Sequence, residues 1–204
     1  MLRSTSGNLP TILTRMAGLH VDTVYGMPVF LSGLAPLVLS KPELSLISQH
    51  HKQTISNLQR LLPCTPISVV CFLADSLPGE ALLYIRQLTF FGMITRLSGN
   101  LLHKLALDVF SAEKPPKNSW FAQLQDLCLQ YDLPLPHQLL GYPLQKPKFK
   151  RMIKKQVLNY WEEFLRKEAE DPRYSSLEYF KPRYMSLTSP HPLWTTAGSS
   201  PANM

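Results

Sequence analysis

Lys146, Lys148, Lys150, Arg151, Lys154 and Lys155 fall within ten consecutive residues that contain no Asp or Glu. Phe149, Met152, Ile153, Val157, Trp161, Phe164 and Leu165 recur through and beyond this run at helical spacing, which predicts a helix from Lys148 to about Ala169. The cations therefore occupy the helix's N-terminal half. There the macrodipole disfavours positive charge by a few tenths of a kcal/mol per residue. Glu162, Glu163, Glu168 and Glu170 sit at the other end, which is equally unfavourable. The arrangement does not serve helix stability. An external anion such as a phosphate backbone accounts for it, so these six residues are the candidate nucleic-acid-binding site. The competing reading is a solvated face opposite the apolar stripe.

Other chemistry is thin. His20, His50, His51, His103, His137 and His191 form no HExxH and no Cys/His ladder. His50 and His51 are neighbours and point in different directions on a helix, so they cannot form an i, i+4 metal pair. Each histidine reads as a surface or packing residue. Cys64, Cys71 and Cys128 are odd in number and lack a CxxC spacing, so they read as reduced, buried thiols. No GxSxG, P-loop or GxGxxG is present, and no paired aspartates that would hold two metal ions. Independent catalysis is not expected, nor a cofactor, a metal or a small-molecule substrate. Trp120, Phe121, Tyr160, Trp161, Tyr179, Phe180, Tyr184 and Trp194 thicken the C-terminal half. Bases could stack on some of them, but Trp120 and Trp161 lie on apolar stripes and read as core.

Composition agrees with a nucleic-acid partner. The 204 residues carry a formal net charge of +7, and a basic balance favours polyanions, nucleic acid ahead of membrane. The chain is 45% hydrophobic and 17% charged, which is enough apolar surface for one domain or two small ones. No apolar run is long enough to span a bilayer and no signal peptide is apparent, so an intracellular location, cytoplasmic or nuclear, is expected.

The elements that must position the basic run are punctuated by 18 prolines. Ser40-Lys41-Pro42-Glu43 fits a capping box, with the helix running to about Leu62 and Leu44, Ile47, Ile55, Leu58 and Leu62 near one face. Thr65-Pro66 opens the next helix, threonine as cap and proline at the first position. Val69, Val70, Phe72 and Leu73 make it apolar nearly all round. Pro78 starts a third helix to about Ser98, with Ala81, Ile85, Leu88, Met93 and Leu97 facing inward and Gly99 just past its end. Three helices joined by short proline turns predict an antiparallel bundle. A weaker helix spans Leu101 to about Phe110, and 113–117 is an extended polar linker. Asn118 or Ser119 caps a helix to about Tyr131, with Trp120, Phe121, Leu124, Leu127 and Cys128 buried. Leu133-Pro134-Leu135-Pro136 reads as a stiff connector. A short helix around Thr11 to Leu19 is expected upstream, and the end from Gly198 to Met204 as a frayed tail.

Several blocks in this order look like one family. Val29-Phe30-Leu31-Ser32-Gly33-Leu34 resembles the segment after the palm in LINE-type reverse transcriptases. Asn57-Leu58-Gln59-Arg60-Leu61-Leu62-Pro63 with Thr65-Pro66 is similar to that family's "LQ-LP-TP" stretch. Leu77-Pro78-Gly79-Glu80-Ala81 with Arg86-Gln87-Leu88-Thr89 resembles its "LP-EA" and "R-LT" blocks. Ser119-Trp120-Phe121, Leu129-Gln130-Tyr131-Asp132-Leu133-Pro134, Tyr160-Trp161 and Pro190-His191-Pro192-Leu193-Trp194 keep the family's order and approximate spacing. The resemblance covers about residues 25–200. It implies a piece of a non-LTR retrotransposon polyprotein, with a mainly α fold. A thumb-like helical bundle would be followed by a second helical segment, and the thumb would grip the RNA or RNA–DNA template–primer. The family's Tyr-x-Asp-Asp motif and its endonuclease are absent from these residues, so no catalytic residue carries over. The expected organisation is an ill-defined segment over 1–24, a thumb-like bundle over 25–112, a helical linker subdomain with the basic helix over 113–185, and an irregular tail over 186–204. The alternative is a helical protein-interaction module or a retroelement remnant without function.

Overall fold

The computed structural model describes residues 27–111, 118–170 and 186–187. The expected helix at Thr11 to Leu19, the linker at 113–117 and the tail from 188 onward lie outside the described residues, as do His20, His191, Tyr179, Phe180, Tyr184 and Trp194. The expected boundary between 112 and 113 also falls outside them.

The described chain is mainly helical, with no strand among the described residues. In order come α1 (Met27–Ser32), α2 (Lys41–Gln59), α3 (Ile67–Ala74), α4 (Gly79–Arg96), α5 (Leu101–Ser111), α6 (Trp120–Gln130), α7 (Pro136–Gly141) and α8 (Lys146–Ala169). The chain forms two compact units. Among the described residues, one takes 27–28, 48–78, 162–170 and 186–187; the other takes 29–47, 79–111 and 118–161. Helices α2 and α8 each contribute to both.

Local chemistry explains most of the helix ends. At the start of α2, the Glu43 carboxylate accepts from the Ser40 backbone N–H at 2.7 Å and from its hydroxyl at 2.6 Å. This is half of a capping box, because the Ser40 hydroxyl donates to Glu43 instead of accepting from the backbone. These two bonds hold the Glu43 carboxyl below its usual range. Ser119 caps α6, its hydroxyl accepting from the Ala122 N–H at 3.1 Å. At α3, Pro66 stands in the cap position itself and Thr65 lies one residue outside, with no side-chain cap bond.

Three helices stop in one way. Arg60, Asp75 and Asp132 adopt left-handed φ of 56°, 51° and 49°. The next N–H reaches back five residues in each case: Leu61 to Ser56 O at 2.8 Å, Ser76 to Cys71 O at 3.1 Å, and Leu133 to Cys128 O at 2.9 Å. These are Schellman ends, which usually place glycine at the left-handed position. Helix α2 therefore stops at Gln59, before Pro63, and Leu62 is exposed instead of facing the core. Gly99, with φ of 88°, sits in the turn from Leu97 to Asn100 and does not close α4 directly. Asn100 then caps α5, its side-chain oxygen accepting from the Leu102 N–H at 2.9 Å.

In the unit that carries most of α8, each of α4, α5, α6 and α7 packs against the other three. Helix α4 is central. Its buried surface includes Ala81, Leu83, Tyr84, Leu88, Phe91 and Ile94. This corrects the expected face, since Met93 and Leu97 are exposed and Ile85 is half-buried. A ring cluster links the helices. Phe91 meets Phe110 at 6.0 Å and Trp120 at 6.3 Å, and Phe121 meets Phe110 at 5.5 Å and Trp120 at 5.4 Å, all edge to face. Such pairs add about 0.5–1.5 kcal/mol each beyond their area. Trp120 Nε1 donates to Ala35 O at 2.8 Å and Gln87 Nε2 to Leu37 O at 2.9 Å, tying the segment before α2 to this core.

In the other unit, Ile55 of α2 and Val70 of α3 are fully buried against each other, with Leu58, Leu61 and Ala74 around them. Helix α3 buries six consecutive residues, Ser68 to Leu73, as its all-round apolarity requires. Of the three cysteines, Cys71 and Cys128 are buried, whereas Cys64, between α2 and α3, is exposed and corrects the expectation of three buried thiols.

Candidate nucleic-acid interface

The basic run lies on the first ten residues of α8, with Lys146 as the first helical residue. Phe149 N–H bonds to Gln145 O at 2.9 Å and fixes this start. The helix buries Phe149, Ile153, Val157, Trp161 and Leu165, an i, i+4 stripe without a polar member. Phe149 packs directly on Gly92 of α4: a Cβ there would run into the Phe149 ring, so the absent side chain is what admits it. Arg96 Nη1 donates to Leu144 O at 3.4 Å, holding the chain just before α8.

Further along, Trp161 Nε1 donates to the Tyr131 hydroxyl oxygen at 3.0 Å, and the Tyr160 ring meets Tyr131 edge on at 5.2 Å. Burial raises the Tyr131 hydroxyl well above its usual range, although the bond from Trp161 pulls the other way. Tyr84 is raised too, first by burial and then by its bond to Glu80, which its hydroxyl makes at 2.7 Å. Both hydroxyls keep their protons at neutral pH and serve packing.

With the stripe turned inward, Lys146, Lys148, Lys150, Arg151, Lys154 and Lys155 are all exposed. Lys150 and Lys154, and Arg151 and Lys155, are i, i+4 pairs of like charge, which disfavour an isolated helix. Among the described residues none of the six forms an ion pair. The cations in the last turns of α8 are treated differently. Arg166 pairs with Glu162 at 2.8 Å and Lys167 with Glu163 at 2.7 Å, both i, i+4. The structure thus leaves all six predicted residues exposed on the first turns of one helix, spread around its solvent side, with no ion pair among the described residues.

Of the aromatics expected as possible base platforms, the four among the described residues are occupied. Trp120, Phe121, Tyr160 and Trp161 all sit in edge-to-face ring pairs, and Trp161 is buried. Tyr142, four residues before Lys146, is different. It is 87% exposed. The sequence carried no signal for it, because an isolated aromatic between Gly141 and Pro143 has no period. Short helix α7 was also not expected, and it turns part of the predicted connector into an anchor, with Pro136, Leu139 and Leu140 buried. The Leu135 N–H donates to the Gln138 side-chain oxygen at 3.1 Å to start it.

Elsewhere the chemistry is closed or shallow. Burial pushes the Cys128 thiol up to about 12 and the Cys71 thiol higher still, so neither is a ready thiolate. Among the described residues no three His, Cys, Asp or Glu side chains lie close enough to hold a metal ion. A polar groove of about 220 Å³ runs between one face of α2, from Gln49 to Asn57, and the Leu61 to Pro63 loop. Lys52 Nζ spans it to Pro63 O at 3.5 Å. No single described helix is long and apolar enough to cross a membrane. No protein family, curated protein or solved structure matches the chain.

Proposed function

We propose that this protein is a non-catalytic, nucleic-acid-gripping part of a LINE-type reverse transcriptase polyprotein, working through the basic face of α8. The observation that carries the binding is the uncompensated charge. Six exposed cations share the first ten residues of a helix whose dipole opposes them, while the cations at its far end are neutralised by local glutamates. The retroelement origin rests on the ordered sequence blocks, and the thumb assignment on those blocks together with the mainly helical fold. Fluorescence anisotropy with an RNA–DNA duplex tests the binding. If the face contacts five or six phosphates, log affinity falls with log salt at a slope of about −5. A flat salt dependence would falsify the reading. An in-frame Tyr-x-Asp-Asp motif in the genomic sequence upstream is the matching test of origin.

A second reading, a helical protein-interaction module, is favoured by one feature. Met93 and Leu97 near the end of α4 and Leu101, Leu102 and Leu105 on α5 are exposed leucines and methionine on either side of one turn. Patches of this kind mark contact surfaces. Affinity for a partner protein that survives high salt and is lost with Leu101→Asp would favour this reading over the first.

A further inference from the structure

Resting on the nucleic-acid reading, we infer that Tyr142 is a base-stacking platform, and that the strand on the basic face of α8 presents at least one unpaired base. Three observations support this. First, the ring stands in solvent, 87% exposed, with no ring partner among the described residues. The other aromatics beside α8 are engaged: Tyr160 packs on Tyr131 and Trp161. Second, the ring is mounted on a fixed backbone. Tyr142 N–H closes α7 by bonding to Gln138 O at 2.8 Å, with Leu139 and Leu140 buried one turn below. On the other side Arg96 holds Leu144 O. A ring on an anchored backbone loses little freedom when a base lies on it. Third, Lys146 lies four positions further on, so the two Cα atoms are no more than about 14 Å apart. One short strand can therefore meet both.

Cationic side chains bind phosphate whether bases are paired or not, but an exposed ring needs an open base face, which a strand offers where its bases are unpaired and a continuous duplex does not. The combination describes a single strand, or the frayed end of a duplex, held by its phosphates on Lys146 and the cations that follow it and by one base on Tyr142.

The test uses the full chain and two labelled strands in anisotropy titrations: a twelve-nucleotide oligo(dA) and an abasic strand with the same number of phosphates. The expected result is oligo(dA) bound about 5- to 150-fold more tightly than the abasic strand. Tyr142→Ala should erase that ratio while leaving abasic affinity unchanged, and Tyr142→Phe and Tyr142→Trp should preserve it. Equal binding of the two strands by the unaltered protein overturns the stacking role and leaves the basic face standing. A ratio that persists in Tyr142→Ala also overturns it. If neither strand binds, the stacking role is overturned, and the duplex titration above decides the basic-face reading by itself.

Discussion

Helices α2 and α8 are both long and amphipathic, yet they bury different things. The inward stripe of α8 is Phe149, Ile153, Val157, Trp161 and Leu165. The equivalent i, i+4 stripe of α2 is Ile47, His51, Ile55 and Gln59, with Ser56 buried beside it. In α2 the His51 Nε2, the Ser56 Oγ and both side-chain amide atoms of Gln59 are buried with no hydrogen-bond partner among the described residues. A buried polar atom without a partner costs about 1–3 kcal/mol. The difference teaches where each helix can act. Helix α8 keeps its inward stripe apolar and its six N-terminal cations exposed, with charged residues half-buried only toward its far end, at Glu162, Arg166 and Glu168. Helix α2 carries polar groups inside, which ties its stability to pH.

The largest effect that could break this contrast is on binding. Replacing Lys150, Arg151, Lys154 and Lys155 with Gln should lower nucleic-acid affinity on the order of 10³-fold at about 0.1 M salt, if all four touch phosphate. The melting temperature should stay or rise slightly, because the helix dipole and like-charge repulsion are both relieved. Unchanged affinity in that variant would remove the basic face from the account. Next in size, Phe149→Ala should destabilise the protein by about 3–5 kcal/mol in urea unfolding, since it empties the space that Gly92 leaves open. A loss below about 1 kcal/mol would mean that α8 is not seated through this contact.

The third effect is on α2. Burial, then the charge of His50, lowers the His51 pKa from 6.5 to about 4. Because the folded value lies below the unfolded one, the neutral form is the native form. Its stability is fully present above pH 6.5 and is lost as pH falls toward 4, by roughly 3 kcal/mol in all. The difference between the unaltered protein and His51→Leu, followed by thermal melts across that window, isolates this step from carboxylate titration. Parallel pH profiles for the two would show that His51 is hydrated or paired in solution. The smallest effect concerns Ser56→Ala, which removes a buried hydroxyl without a partner. It should be neutral or stabilising by up to about 1 kcal/mol. A clear destabilisation would reveal a hydrogen bond that the structure does not contain.

Much of this was readable in advance where local rules act. The Ser40 and Ser119 starts follow from residue types that supply a side-chain oxygen or attract one, and the α8 stripe follows from strict periodicity. The basic run was legible because its residues are contiguous in sequence and share one helix. What escaped depends on tertiary context. The left-handed end at Arg60 carries no glycine to announce it. Helix α4 is apolar over a broad arc, so pattern alone chose Met93 and Leu97 where the fold buries Tyr84 and Phe91. Histidine and glutamine at positions 51 and 59 look like surface residues until neighbours close over them. Tyr142 is significant only because it is exposed, and exposure cannot be read from an isolated tyrosine.

The disposition of the three thiols has a practical consequence. Cys71 and Cys128 are enclosed and resist ionisation, whereas Cys64 stands open on the turn that Thr65 N–H closes onto Leu62 O at 2.9 Å. A maleimide dye should therefore attach at one position of the native chain without mutagenesis. Labelling becomes stoichiometric at one dye per molecule and rises toward three on unfolding, so the same reagent reports the opening of the core.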